Sequence, residues 1–430
     1  MHAVLIIFVL VLLRCIPQYA VLLSGAPMDK RKHTDMNSWR SEAVKRLWAE
    51  RRRMDRTPLF RLSLPGFRHV DVLLKDESVT KSGSLKHRYA WALIMWAVVD
   101  GKINANTTVY EASAGNTAAS EAYFCSLIGV KFIAVVPQST EQAKVANIES
   151  YGGHVLKARP GMMLIQAQHE ADANGGFFMN QFANSDKAEE FHESGDCPHE
   201  SVNLMHEILA QMRADKSLTV KFPHYFVHPA GTGGTITSVG RYAKKYDLPT
   251  EIVLVDSEFS VYYDYVMEGK FVNESGASFW ISPGMAGTGF GTLGPVKFGV
   301  TSSLLPSVID RAIKVPDLAS TAAMLVLRNR GINAGASTGL NLLGILHIAA
   351  TAPYAKLPSN QRLTIVTSLG DSGDNYISSY FSRTWIAENF SHLGGLQVYK
   401  CWTEVIEESI DSGTDALIEG TKRCPGRQHF

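Results

Sequence analysis

The chain has almost no charge of either sign to spare: 42 basic residues stand against 41 acidic ones, a formal net charge of +1. Proteins that neutralise a phosphate backbone carry a clear excess of cations, so nucleic acid is not an expected partner. Cysteine is sparse. The five residues Cys15, Cys125, Cys197, Cys401 and Cys424 are widely spaced, odd in number and form no Cys-x-x-Cys pair, so no disulfide framework is indicated. The one metal-capable run, Asp196-Cys197-Pro198-His199, lacks the further ligands that tetrahedral zinc demands; it reads as a loop, and no metal is expected. With 35 glycines and 17 prolines in 430 residues, low-complexity composition is excluded, and there is no internal repeat.

What remains is an ordinary globular chain, 45% hydrophobic and long enough for more than one domain. Its first apolar run, Ala3 to Leu13, is interrupted by Arg14 and followed by Tyr19 to Leu23. Residues 1–25 therefore read as a signal peptide or a single-pass membrane anchor. Ser24-Gly25-Ala26 suits a signal peptidase, Lys30-Arg31-Lys32 would hold that flank of an anchor in the cytoplasm, and a soluble cytoplasmic start is the alternative. Asn106, Asn273 and Asn389 fit the glycan acceptor pattern without settling the compartment. Residues 26–56 form an N-terminal helical extension: Val44, Leu47 and Trp48 recur at helical spacing, and Arg51-Arg52-Arg53 reads as a solvent-facing run.

From Asp71 onward short β-branched stretches alternate with amphipathic ones. Strands are predicted at 72–74, 108–110, 132–136, 154–156, 225–227, 252–255 and 363–366, with helices over 84–99, 117–128, 141–150, 162–173 and 235–246. This alternation is the signature of βαβ units and a parallel sheet. The polar stretch 186–200 reads as the passage between two α/β lobes. The segment beyond about 395 is acidic and reads as less regular.

Four segments carry chemistry. Lys81-Ser82-Gly83-Ser84-Leu85-Lys86 precedes a helix, so a lysine there sits at the positive end of the helix dipole, which disfavours its cation and suits a nucleophilic amine. Gly231-Thr232-Gly233-Gly234-Thr235 lies between a strand and a helix, where successive backbone N–H groups can converge on a phosphate without help from a lysine. It ends in no Gly-Lys-Ser/Thr and lacks dinucleotide spacing. Glu111-Ala112-Ser113-Ala114-Gly115-Asn116-Thr117 offers a hydroxyl, an amide and free N–H groups at a helix start, which suits a carboxylate, although an ordinary N-cap explains Asn116 or Thr117 equally well. Gly370-Asp371-Ser372-Gly373 follows the last core strand, where open α/β sheets keep their ligands.

In this order the four segments resemble the fold type II pyridoxal-phosphate enzymes, in particular the cysteine synthase and cystathionine β-synthase family, over roughly residues 57–385. Gln181-Phe182-Ala183-Asn184 and Gly284-Met285-Ala286-Gly287 are similar to two further family segments. The resemblance implies a two-lobed α/β fold of tryptophan synthase β type, with parallel-rich sheets flanked by helices. Residues 57–81 and 191–385 would form the larger lobe, 82–190 the smaller, and 386–430 a C-terminal tail.

It also implies roles. Lys86 would carry pyridoxal 5'-phosphate as a Schiff base and shuttle the substrate α-proton. Asn116 would bond the ring oxygen, Gly231, Thr232, Gly233, Gly234 and Thr235 the phosphate, and Ser372 the ring nitrogen. Ser113, Gly115, Thr117 and Gln181 would grip the substrate carboxylate, with Gly284 facing the substrate. A neutral hydroxyl at the ring nitrogen leaves a weaker electron sink than a carboxylate would, which favours losing a β-substituent over transamination. The implied reaction is β-replacement or β-elimination on serine, O-acetylserine or cysteine, with a serine/threonine dehydratase or a non-catalytic partner protein as alternatives. A homodimer is also implied. The chain departs from the family at His87, where an acidic residue usually follows the lysine, at Ala114 and at Ala118; Asp371 is a neighbouring candidate for the ring nitrogen.

Overall fold

A computed structural model describes residues 30–54, 56–159, 161–192, 203–269, 280–291, 296–353 and 362–424. The expected leader or anchor at 1–25, the loop around Cys197 and the acceptor site at Asn273 lie outside these residues. Among the described residues no helix is long and apolar enough to cross a membrane.

Two sheets organise the chain. The larger has six strands in the order β1-β2-β10-β7-β8-β9, namely Leu59–Leu62, Val70–Asp76, Leu363–Leu369, Tyr225–His228, Glu251–Ser257 and Arg311–Val315. Every pair is parallel except β1 with β2. The smaller sheet is wholly parallel, ordered β5-β4-β3-β6, from His154–Ala158, Lys131–Pro137, Thr108–Glu111 and Phe177–Phe178. All of its strands fall between β2 and β7 in sequence, so the second lobe is an insertion in the first. Helices cover both faces of the large sheet, which is why β7 and β10 are buried along their whole length.

The sequence pattern located seven strands and missed β1, β6 and β9. β6 has only two residues, and β1 and β9 each carry an arginine within a run of four or five, so none stands out as an apolar stretch. The expected irregular tail is corrected. Gly395–Ser412 and Ala416–Arg423 are helices, and Trp402, Val405, Ile406 and Ile410 on the first of them are buried in the core of the larger lobe. Their acidic residues occupy the outer face, which made the segment read as polar. The same region corrects the reading of the cysteines, because Cys401 and Cys424 form a disulfide that fastens these two helices together. Cys125 is free and buried.

The helix Lys30–Arg53 packs Ala43 and Leu47 against the smaller lobe, with Trp48 edge-on to Trp91 at 5.1 Å. Its last turn is not simply solvent-facing, as the arginine run suggested. Arg51 pairs with Glu207 at 3.0 Å inside a buried charge network. Arg88 from the smaller lobe meets Glu77 (3.0 Å) and Glu207 (2.8 Å), and Lys75 on β2 meets Glu207 at 3.0 Å. Burial pushes the Glu207 carboxyl up, but Arg88, Lys75 and Arg51 outweigh this and hold it well below the usual carboxylate range.

Two outcomes are expected. Cys424→Ala, or reduction of the parent, should lower stability by ~3 kcal/mol, the loop-closure value for a bridge of this span, as read by thermal melts with and without reductant. Glu207→Gln leaves buried cations unpaired and should cost about 3–5 kcal/mol in urea unfolding at neutral pH. Because the folded carboxyl titrates below its unfolded value of about 4.3, that difference should be full above this pH and shrink as the solution is acidified further.

Candidate active site

The carboxyl ends of β7 and β10 face the start of the helix Lys86–Val99 across a partly open cleft of about 90 Å³. Lys86 is the first residue of that helix. The preceding turn is pinned to the large sheet: Leu85 N donates to Gly370 O at 2.7 Å, and Ser84 forms a bridge to Asp371. The Lys86 amine lies over the Tyr89 ring, 5.1 Å from its centre, and lines the cleft. Desolvation lowers its pKa to about 8, against the opposing pull of Glu111 and Glu121, so about a tenth of the amine is the neutral nucleophile at pH 7, far more than for an ordinary lysine.

These two carboxyls are buried behind the lysine. Glu111 accepts N–H bonds from Ala112 (2.7 Å) and Gln181 (3.0 Å), yet burial still pushes it up to about 7. Among the described residues Glu121 has no hydrogen-bond partner on either oxygen, and burial together with the charge of Glu111 raises it well above the ordinary range. His87 points the other way. Burial among Tyr123 and Phe124 holds its pKa down to about 3, and its Nδ1 lies 2.9 Å from Ser82 Oγ, so this departure from the family pattern belongs to the core of the smaller lobe.

Gly231 to Thr235 wall the cleft on the opposite side. Gly233 takes a left-handed φ of 87° and turns the chain into the helix Gly234–Lys245. A Cβ on Gly231 would meet Gly287 O at 2.3 Å and one on Gly233 would meet Leu304 N at 2.2 Å, so only glycine lets this loop nest against its neighbours. Consecutive backbone N–H groups at a helix N-terminus form an anion cup, and these residues fit a phosphate.

His228, at the end of β7, lines the same wall. Its Nδ1 lies 2.7 Å from Pro229 O, which can only accept, so Nδ1 carries the proton; Nε2 then accepts from Ser368 Oγ at 2.7 Å. Burial lowers its pKa to about 4, and it is a neutral wall residue with both nitrogens engaged.

Asn116 opens the helix Asn116–Ile128 and also lines the cleft, but the cap of that helix is Gly115. The Asn116 amide donates to Asp371 Oδ2 at 2.8 Å. Thr117 donates to Gln181 Oε1 at 2.7 Å, which brings two of the expected carboxylate ligands together, buried beside the cleft. Ser113, Gly115 and Gly284 do not stand in its wall: Ser113 Oγ accepts from Gly115 N at 3.4 Å, and Gly284 packs under the Trp280 ring. Ala286 and Gly287 of the same loop line the cleft in place of Gly284.

The structure does not place Ser372 in the cleft wall. Its hydroxyl donates to Asp374 Oδ2 (3.1 Å) and accepts from Asn333 Nδ2 (3.1 Å) and Asp374 N (3.2 Å), capping the turn Gly373–Tyr376 outside the wall. Ser337 and Asp371 stand in the wall instead. The sequence signal for Ser337 was Gly331-Ile332-Asn333-Ala334-Gly335-Ala336-Ser337, a glycine-punctuated turn into a long apolar helix, which without tertiary contacts resembles any helix start.

A family model described as pyridoxal-phosphate dependent enzyme matches residues 51–365. The chain belongs to the pyridoxal-phosphate dependent enzymes. Its cofactor is pyridoxal 5'-phosphate. Among curated relatives, the chain is 48% identical over 390 residues (90% of each chain) to a Caenorhabditis elegans protein described as "Putative pyridoxal-phosphate dependent protein". It is 37% identical over 357 residues to the L-cysteine desulfhydrase Cds1 of Mycobacterium tuberculosis, covering 81% of this chain and 90% of that one. The crystal structure of an O-ureido-L-serine synthase superposes with a TM-score of 0.59 at 23% identity, covering 75% of this chain and 91% of that one, and supports the fold.

The Lys86 environment yields a direct test. In the cofactor-free enzyme, labelling of Lys86 by an amine-selective acylating reagent, followed by peptide mass mapping, should rise with pH about a midpoint near 8, whereas exposed lysines should follow a midpoint of about 10.4.

Proposed function

We propose that this enzyme acts on a three-carbon amino acid by β-elimination, with L-cysteine as substrate and sulfide, pyruvate and ammonia as products. The observation that carries the reading is the Lys86 amine, desolvated at a helix start and facing the anion cup across one cleft. The 37% identity to an L-cysteine desulfhydrase supports the choice of substrate. β-Replacement on serine or O-acetylserine would use the same residues with a different incoming nucleophile.

When bound, the cofactor supplies an electron-withdrawing ring that weakens bonds to the substrate Cα. The backbone N–H groups of Gly231 to Thr235 would hold its phosphate and Asn116 its ring oxygen. Ser337 replaces Ser372 as the proposed partner of the ring nitrogen; its hydroxyl lies against Gly370, where an added Cβ would come within 2.7 Å, and it has no hydrogen-bond partner among the described residues. Lys86 Nζ takes the α-proton, because it is the basic amine of the wall and is neutral in part near pH 8. Thr117 and Gln181 would receive the substrate carboxylate, with their mutual hydrogen bond already fixing both side chains. Cysteine and one water then balance as pyruvate, ammonia and hydrogen sulfide.

Borohydride treatment of the loaded protein should fix the cofactor on the peptide containing Lys86, and Lys86→Ala should release no sulfide from cysteine above background. Ser337→Ala should lower kcat by at least tenfold while Ser372→Ala changes it less than threefold, as expected for removing one partner of the cofactor as against a turn cap. Formation of cysteine and acetate from O-acetylserine and sulfide, with no sulfide from cysteine, would move the assignment to β-replacement.

A further inference from the structure

We propose that Asp371 is a positioning residue: its carboxylate fixes the Asn116 carboxamide so that an N–H, and not the amide oxygen, faces the cofactor's ring oxygen. The inference rests on the reading of the cleft given above and extends it to a residue that the sequence offered only as an alternative partner for the ring nitrogen.

Asp371 is 3% exposed and its backbone is held from two sides, by the bridge to Ser84 and by Gly335 N donating to its carbonyl at 3.0 Å. Its carboxylate lies so close to Gly335 that a Cβ there would sit 1.9 Å from Oδ1. Oδ2 accepts from Asn116 Nδ2 (2.8 Å), Tyr376 Oη (2.7 Å) and Asn375 Nδ2 (3.3 Å). Burial raises its pKa above the ordinary carboxylate value, and these three donors, which favour the carboxylate, oppose that rise without cancelling it.

A carboxylate accepts and cannot donate, so an Asn116 amide turned over would set oxygen against oxygen. The end of the amide on Asp371 is therefore nitrogen. Nitrogen carries two hydrogens: one is committed to Oδ2, and the other remains for an oxygen acceptor in the cleft. An unconstrained asparagine would present either end to the ring oxygen, and only the N–H end would bind it. Tyr376, itself in the cleft wall, keeps the carboxylate from rotating away.

Asp371→Asn retains the size of the side chain and an acceptor oxygen, so the lobes can stay joined, but it removes the bar to the flipped amide. The test compares Asp371→Asn, Asn116→Ala and the double variant with the parent, measuring pyridoxal 5'-phosphate affinity by equilibrium dialysis of the cofactor-free proteins, the absorption spectrum of the bound cofactor, and the melting temperature without cofactor. Asp371→Asn is expected to weaken cofactor binding about tenfold. It should move the absorption band in the same direction as Asn116→Ala, and leave the cofactor-free melting temperature within about 3 °C. In the double variant the cofactor should bind no more weakly than to Asn116→Ala alone, because the two residues act as one unit. Parental affinity and spectrum in Asp371→Asn, multiplying losses in the double variant, or a lowered melting temperature with an unchanged spectrum would each overturn the proposal, the last assigning Asp371 to lobe docking. A parent protein that takes up no cofactor would overturn the reading of the cleft and this inference with it; a loaded parent matched by Asp371→Asn overturns this inference alone.

Discussion

The position of the reactive amine depends on a charge network that never touches the cleft. Arg88 stands two residues after Lys86, and its guanidinium is clamped between Glu77, at the end of β2, and Glu207, on a helix of the larger lobe. Lys75 and Arg51 close on the same Glu207. Buried ions are costly to leave unpaired, so the network admits one arrangement of the helix Lys86–Val99 against the large sheet. With Leu85 hydrogen-bonded to Gly370, that arrangement sets Lys86 opposite the end of β7.

The cleft itself joins two kinds of polar control. One wall is backbone: a glycine loop that offers N–H groups because side chains would collide with Gly287 and Leu304. The other is titratable. Lys86 is softened by burial, and Glu111 and Glu121, whose charges oppose that shift, are themselves pushed toward neutrality by burial. His228 is locked neutral with both nitrogens engaged. Lys86 is thus left as the one amine among the residues lining the cleft, and Asp371 is tied to Asn116, Tyr376 and Asn375.

How much could be read beforehand depended on whether a feature was local. Long buried strands such as β10 announce themselves by composition, and the Gly231–Thr235 loop by its glycines between a strand and a helix. Ser372 shares a turn with Asp371, but one residue further along the chain has turned away and its hydroxyl caps Gly373–Tyr376. Ser337 was passed over because nothing near it in sequence indicates that Gly370 will lie against it. The final helices were read as tail because their charged faces outweigh Trp402, Val405 and Ile406 in a running composition.

The sequence by itself determined the βα alternation, the amine at a helix start and the glycine cup, because each depends on residues within one strand-turn-helix unit. Only the tertiary structure decided which serine stands in the wall, that His87 turns into the core while Lys86 faces the cleft, that Cys401 and Cys424 meet, and that Asp371 takes one N–H of Asn116, a residue 255 positions away in the chain. The physical reason is common to all four: each depends on which strand ends and helix faces are packed together, and a βα unit carries no record of its distant neighbours until the sheets assemble.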